Sequence, residues 1–126
     1  MQKLLVNNID VALIQEPWLS GGKIRSLRCK GGSIISPNCD YPRTCIYVKN
    51  RINSMANIRF CSRDATTMEV SMVVGDCRRT IRFSSVYLPN EEPDPPLLMM
   101  RYNVQHSAQE KREIILGIDA NTHHIL

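Results

Sequence analysis

Residues 67–74 read TMEVSMVV, with Met68, Val70, Met72 and Val74 at alternate positions and Thr67, Glu69 and Ser71 between them. Successive side chains of an extended chain point to opposite faces, so this period of two predicts a strand with one buried face. Gly75-Asp76-Cys77-Arg78 then supplies a hairpin turn signal. The next stretch, TIRFSSVYL (80–88), alternates again and puts Ile81, Phe83, Ser85 and Tyr87 on one face. Shorter runs predict further strands: DVALIQ (10–15), closed by Glu16 and Pro17; SIIS and TCIYVK around the turn PNCDYP; and NIRFC (57–61). EPWLSGGK and RCKGG each carry a Gly-Gly pair and predict loop. PNEEPDPP (89–96) is an acidic loop holding four of the seven prolines. From Leu97 to Glu110 a helix is expected, with Leu98, Tyr102 and Gln105 roughly in line. The run Ile114–Ile118 predicts a buried last strand. Antiparallel-looking strands followed by a helix that feeds a strand make an α/β (α+β) architecture, a mixed and largely antiparallel sheet with flanking helices.

Composition changes this picture little. A chain of 126 residues, 43% hydrophobic and 22% charged, suits one domain without repeats or an internal linker. No apolar run approaches the roughly 18 residues needed to span a bilayer. The start, MQKLLVNNID, has too short an apolar patch for a secretory signal, so a soluble intracellular protein is expected. The five cysteines are odd in number, widely spaced and without a C-x-x-C pair, which predicts reduced thiols over a disulfide framework or zinc knuckle.

Charge changes it more. Residues 21–82 carry twelve Lys/Arg against four acids, a net +8, whereas residues 83–126 carry three against six, a net −3. A basic middle beside an acidic end suits a protein that grips a polyanion and gathers carboxylates elsewhere for a cation. Solvated strand faces would account for the same charges.

Four stretches carry the chemistry: LIQEPW, SSVYLPN, PDPP and GIDANTHH. Singly, each is an ordinary strand end or turn. In this order they resemble the endonuclease/exonuclease/phosphatase family, magnesium-dependent phosphodiesterases that include abasic-site endonucleases. ALIQEPW, the YLP and DPP segment and DANTHH are similar, more narrowly, to the apurinic-type endonuclease domain of non-LTR retrotransposons of the jockey-like and ribosomal-DNA-inserting types. The resemblance covers nearly the whole chain, from a first helix already in progress to the strand carrying Asp119.

The resemblance implies a two-sheet, four-layer α/β/β/α sandwich, of which residues 1–126 would be a truncated domain supplying about half. The family's first strand and its C-terminal half, with the aspartate–histidine motif, are expected to lie outside the chain. One sheet's inner face would then lose its partner, and the chain alone would lack turnover. By the same resemblance Glu16 is the metal-binding glutamate, for Mg²⁺ or Mn²⁺. Tyr87 and Asn90 contact the scissile or a neighbouring phosphate, Asp119 handles the proton of water or leaving group, and Asn121 orients the phosphate. Ile118, between Gly117 and Asp119, departs from the family's G-D-x-N pattern. Arg78 and Arg79 are candidates for DNA contact. His123 and His124 would point to opposite faces of a strand, and contact with DNA or a structural role stays open for both. The partners implied are DNA and the reverse transcriptase domain of a full-length element, with no membrane, no small-molecule cofactor and a nuclear location. Two other readings stay open, a non-catalytic nucleic-acid-binding remnant and a degenerate gene fragment.

Overall fold

A computed structural model describes residues 9–24, 31–88 and 98–119. Its strands are β1 (Val11–Gln15), β2 (Leu19–Ser20), β3 (Lys23–Ile24), β4 (Gly32–Ile35), β5 (Thr44–Lys49), β6 (Asn53–Ala56), β7 (Ala65–Val74), β8 (Cys77–Tyr87) and β9 (Glu113–Asp119), with α1 (Leu98–Gln109) between the last two. They form a first sheet ordered β1-β5-β4, a small β2-β3 hairpin and a second sheet ordered β6-β7-β8-β9. All pairings are antiparallel except β8 with β9, which run parallel and are joined through α1. That is the connection a parallel pair requires, since a tight turn can only reverse the chain.

The two strands and the hairpin read from residues 67–88 are borne out, but both faces are buried over much of their length, with Thr67, Arg82 and Ser84 covered on the side opposite the core. Val74 pairs with Cys77 across the two-residue turn. Gly75 has φ 62°, a left-handed value that glycine adopts without steric cost. The two large sheets pack face to face. Ile46 and Val48 of β5 bury against Met68 and Val70 of β7, with Val11, Leu13, Ile35, Ile52 and Phe83 around them. Met72 and Val74 of the same stripe run beyond this core and are exposed. Among the described residues the layers are therefore sheet, sheet and helix. The expectation of a sheet face without its partner is corrected in part: the two large sheets cover each other at the core, but inner-face positions at the margins of the second sheet, Ala56 on β6 and Ile115 on β9, stay exposed.

Four local readings are also corrected. EPWLSGGK is not all loop, since Leu19–Ile24 forms a hairpin whose turn is Gly21 and Gly22. NIRFC is not a strand: Ile58–Phe60 makes one 3₁₀ turn after β6, which leaves Ile58 83% exposed and Phe60 fully buried. Strand β9 is an edge and only half covered, with Ile115 and Ile118 exposed. The fourth concerns α1, which turns Asn103 and Ser107 to the sheet and leaves Leu98 74% exposed.

The reason lies beneath the helix. Arg82 on β8 is 2% exposed, and its guanidinium donates to Asn103 Oδ1 (3.1 Å) and Ser107 Oγ (2.9 Å) and pairs with Glu69 and Glu110. A buried cation needs acceptors on every side, so the helix docks by its polar face. Tyr102 and His106, one turn apart, stack on each other and on Phe60 to close the flank.

Four cysteines are described and all are free. Burial pushes the Cys45 thiol up to about 12, so it stays a neutral apolar group in β5. Among the described residues no helix is long and apolar enough to cross a membrane. The severest steric limit on a glycine is at Gly32, where a Cβ would run into the ring of Tyr47, which is fully buried. Gly32→Ala is therefore expected to destabilise the fold by about 1–3 kcal/mol, read as a lower urea midpoint at unchanged slope. A midpoint equal to wild type would show that the ring can yield.

Candidate active site

The interior of the sandwich changes character along its length. At one end it is apolar; at the other, inward-facing positions become Gln15 and Thr44 on the first sheet and Thr66, Ser85 and Gly117 on the second. These groups bond across the sheets. Gln15 Nε2 donates to Ser85 Oγ (2.9 Å) and to the Gly117 carbonyl (3.0 Å), and Ser85 Oγ donates to the Ile14 carbonyl (2.7 Å). The Thr44 and Thr66 hydroxyls lie 2.8 Å apart. Gly117 has to be small here, because a Cβ would sit 3.0 Å from Leu13. This polar layer clamps the carboxyl ends of β1, β8 and β9 into one corner.

One step beyond the clamp stand the candidate residues. Tyr87 and Asp119 are register partners on the parallel strands β8 and β9, and the Leu88 N–H donates to the Asp119 carbonyl (2.8 Å). Glu16 follows Gln15 directly, is exposed, and has φ 52°. A left-handed conformation costs a residue with a Cβ about 1–2 kcal/mol. The Glu16 N–H donates to the Arg43 carbonyl (2.8 Å), which fixes where the chain leaves β1. Trp18, two residues on, is 56% exposed.

Two residues at this corner carry no motif in the sequence. The Arg43 guanidinium lies 5.0 Å from the centre of the Tyr87 ring, and its Nε is 3.1 Å from Asp64 Oδ1. The Asp64 carbonyl accepts the Tyr87 N–H (2.9 Å). Both residues sit just ahead of a strand, Arg43 before β5 and Asp64 before β7, in turns that look like any others. Gln15 was signalled only as the neighbour of Glu16.

The structure therefore gathers Glu16, Tyr87 and Asp119 at one end and leaves Arg78 and Arg79 at the other. Arg78 is nine residues before Tyr87 on β8, or roughly 30 Å along an extended strand. Arg79 is ion-paired with Glu113. Asn90, Asn121, His123 and His124 lie outside the described residues. Among the described residues, no three His, Cys, Asp or Glu side chains come together as a metal cage. A cleft of about 600 Å³ opens elsewhere, on the outer face of the second sheet between Asn57, Arg59, Glu69 and Arg112, and includes none of the three candidates.

No family model matches the chain, and no curated protein matches it either. Among solved structures it is similar to the endonuclease domain of TRAS1, a telomere-specific non-LTR retrotransposon, with a TM-score of 0.59 and 18% sequence identity. The match covers 91% of this chain and 48% of that one, so the chain spans about half the length of its structural relative. The resemblance carried by the four motifs is thus borne out at the level of architecture: the chain has a fold similar to that of a retrotransposon endonuclease domain.

Proposed function

We propose that this chain is the part of a Mg²⁺-dependent DNA endonuclease that carries Glu16, Tyr87 and Asp119, and that the enzyme nicks target DNA for a non-LTR retrotransposon. The observation that carries the reading is their convergence: three groups distant in sequence stand at one end of the sandwich, behind a shared polar clamp. Such a cluster at strand carboxyl ends is where chemistry is usually supported.

The oxygen-only donor set suits a hard cation. Magnesium usually takes one or two protein carboxylates and keeps several waters, so the lack of a three-residue cage among the described residues is no obstacle. Glu16, exposed and fixed through its backbone, would hold the ion, and Mg²⁺ there would offset charge on the phosphate. The Tyr87 hydroxyl would donate to a non-bridging phosphate oxygen. Asp119 would take the proton from the attacking water or give one to the leaving oxygen. Asn90 and Asn121 are proposed as further phosphate contacts on the resemblance alone. A nick that leaves a 3′-hydroxyl would prime the reverse transcriptase domain expected as the partner.

The test is nicking of supercoiled plasmid, by this chain and by the longest natural protein that contains it. Nicking that needs Mg²⁺ or Mn²⁺ is expected from the longer protein. Equal nicking in chelator would overturn the metal assignment, and binding without any nicking would favour a nucleic-acid-binding role.

Charge gives a separate prediction. If the basic stretch 21–82 grips phosphates, DNA affinity falls steeply with salt, in proportion to the phosphates contacted. Reversing Arg78 and Arg79 to Glu is expected to flatten that slope. Arg78 should account for more of the change, because Glu113 already neutralises Arg79. An unchanged slope would return both arginines to the solvated surface.

A further inference from the structure

We infer that Arg43, held by Asp64, is a positioning residue that fixes the Tyr87 ring relative to Glu16. This inference rests on the nuclease reading for its purpose but not for its geometry. Five contacts carry it. Arg43 takes the Glu16 N–H on its carbonyl, and its own N–H donates to the Arg63 carbonyl (2.8 Å). Its guanidinium faces the Tyr87 ring while pairing with Asp64, whose carbonyl holds the Tyr87 N–H. One residue thus touches both candidate residues, Glu16 through its backbone carbonyl and Tyr87 through its guanidinium.

The chemistry explains why an arginine suits the position. A guanidinium can present one edge to a carboxylate and its plane to an aromatic face at the same time, which an ammonium does less well. Both partners are largely shielded from water, with side chains 24% and 16% exposed, so the pair is less screened than one on the surface. The ring is consequently gripped at its face by Arg43 and at its backbone by Asp64. The ring, 6% exposed, is thereby held in one place before any substrate binds, which is how a donor becomes preorganised.

The experiment uses the full chain labelled with 3-fluorotyrosine and read by ¹⁹F NMR. The four tyrosines give four signals, and Tyr87→Phe assigns the one of interest. In Arg43→Met the Tyr87 signal is expected to move more than those of Tyr47 and Tyr102. Asp64→Asn should move it in the same sense, and Arg43→Lys should leave it nearer to wild type. In plasmid nicking by the longest natural protein that contains the chain, Arg43→Met is expected to slow turnover by about fivefold with KM little changed. A Tyr87 signal unmoved in both Arg43→Met and Asp64→Asn overturns the inference. So does a common shift of all four signals, which would make the pair a general stabiliser. A Tyr87 response without any nicking by the longer protein keeps the positioning role and discards the nuclease reading instead.

Discussion

Glu16→Gly is expected to abolish metal-dependent nicking by the longer protein while leaving the fold at least as stable as before. The two halves of that result have different causes. Glu16 sits at φ 52°, where a residue with a Cβ is strained, and its side chain is exposed. Glycine relieves the strain but gives the unfolded chain more freedom, so the net gain is at most about 1 kcal/mol. The N–H that bonds Arg43 is kept in the variant. Activity should move the other way. Losing the one carboxylate proposed to hold the ion removes several kcal/mol of charge stabilisation, a loss of roughly a hundredfold or more. Paired measurements of urea unfolding and plasmid nicking check both halves, with Asp119→Ala as a control for contaminating nuclease. Retained nicking would remove Glu16 from the metal site. A large loss of stability would instead mean that its side chain serves the fold.

That a strained, exposed glutamate ends β1 was visible only in part beforehand. The motif LIQEPW marked Glu16, and Pro17 marked the end of the strand, but nothing in the sequence specified a left-handed turn. The long strands were legible because alternation in TTMEVSMVV and TIRFSSVYL is a local signal, and their hairpin announced itself at Gly75. Tyr87 and Asp119 were legible through their motifs. Arg43 and Asp64 were not, because they meet Tyr87 only when two sheets close on each other. NIRFC misled because Ile58 and Phe60 fit a strand by type, yet the chain coils there to bury Phe60 alone. The helix was found, but its docking face was missed. Periodicity assumes that the buried face is the apolar one, and Arg82 reverses that rule locally.

Arg82→Met is accordingly expected to be among the most destabilising changes in the chain. The side chain is buried beneath α1 and serves Asn103, Ser107, Glu69 and Glu110, while its guanidinium lies 4.7 Å from the Phe60 ring centre. Breaking a buried pair by removing one partner costs about 3–5 kcal/mol, against a total stability of roughly 5–15 kcal/mol for a typical domain. Lysine should rescue little, since one ammonium cannot reach acceptors on a helix and a strand together. The same network predicts an acid limb. Burial pushes the Glu69 carboxyl up, but the hydrogen bond from Asn57 and the charges of Arg82 and Arg112 outweigh it and hold it below the usual carboxylate value of 4.5. A carboxyl depressed in the folded state contributes stability that is full above its unfolded pKa and fades as pH falls through the folded one. Wild type should therefore lose stability below about pH 4.5, and Glu69→Gln should flatten that limb while lowering stability near neutrality. Urea unfolding of the two variants and wild type across pH 3–7 checks all of this. A mild Arg82→Met would mean that the helix can repack on an apolar face, and the polar docking of α1 would then be a consequence of Arg82 with no strength of its own.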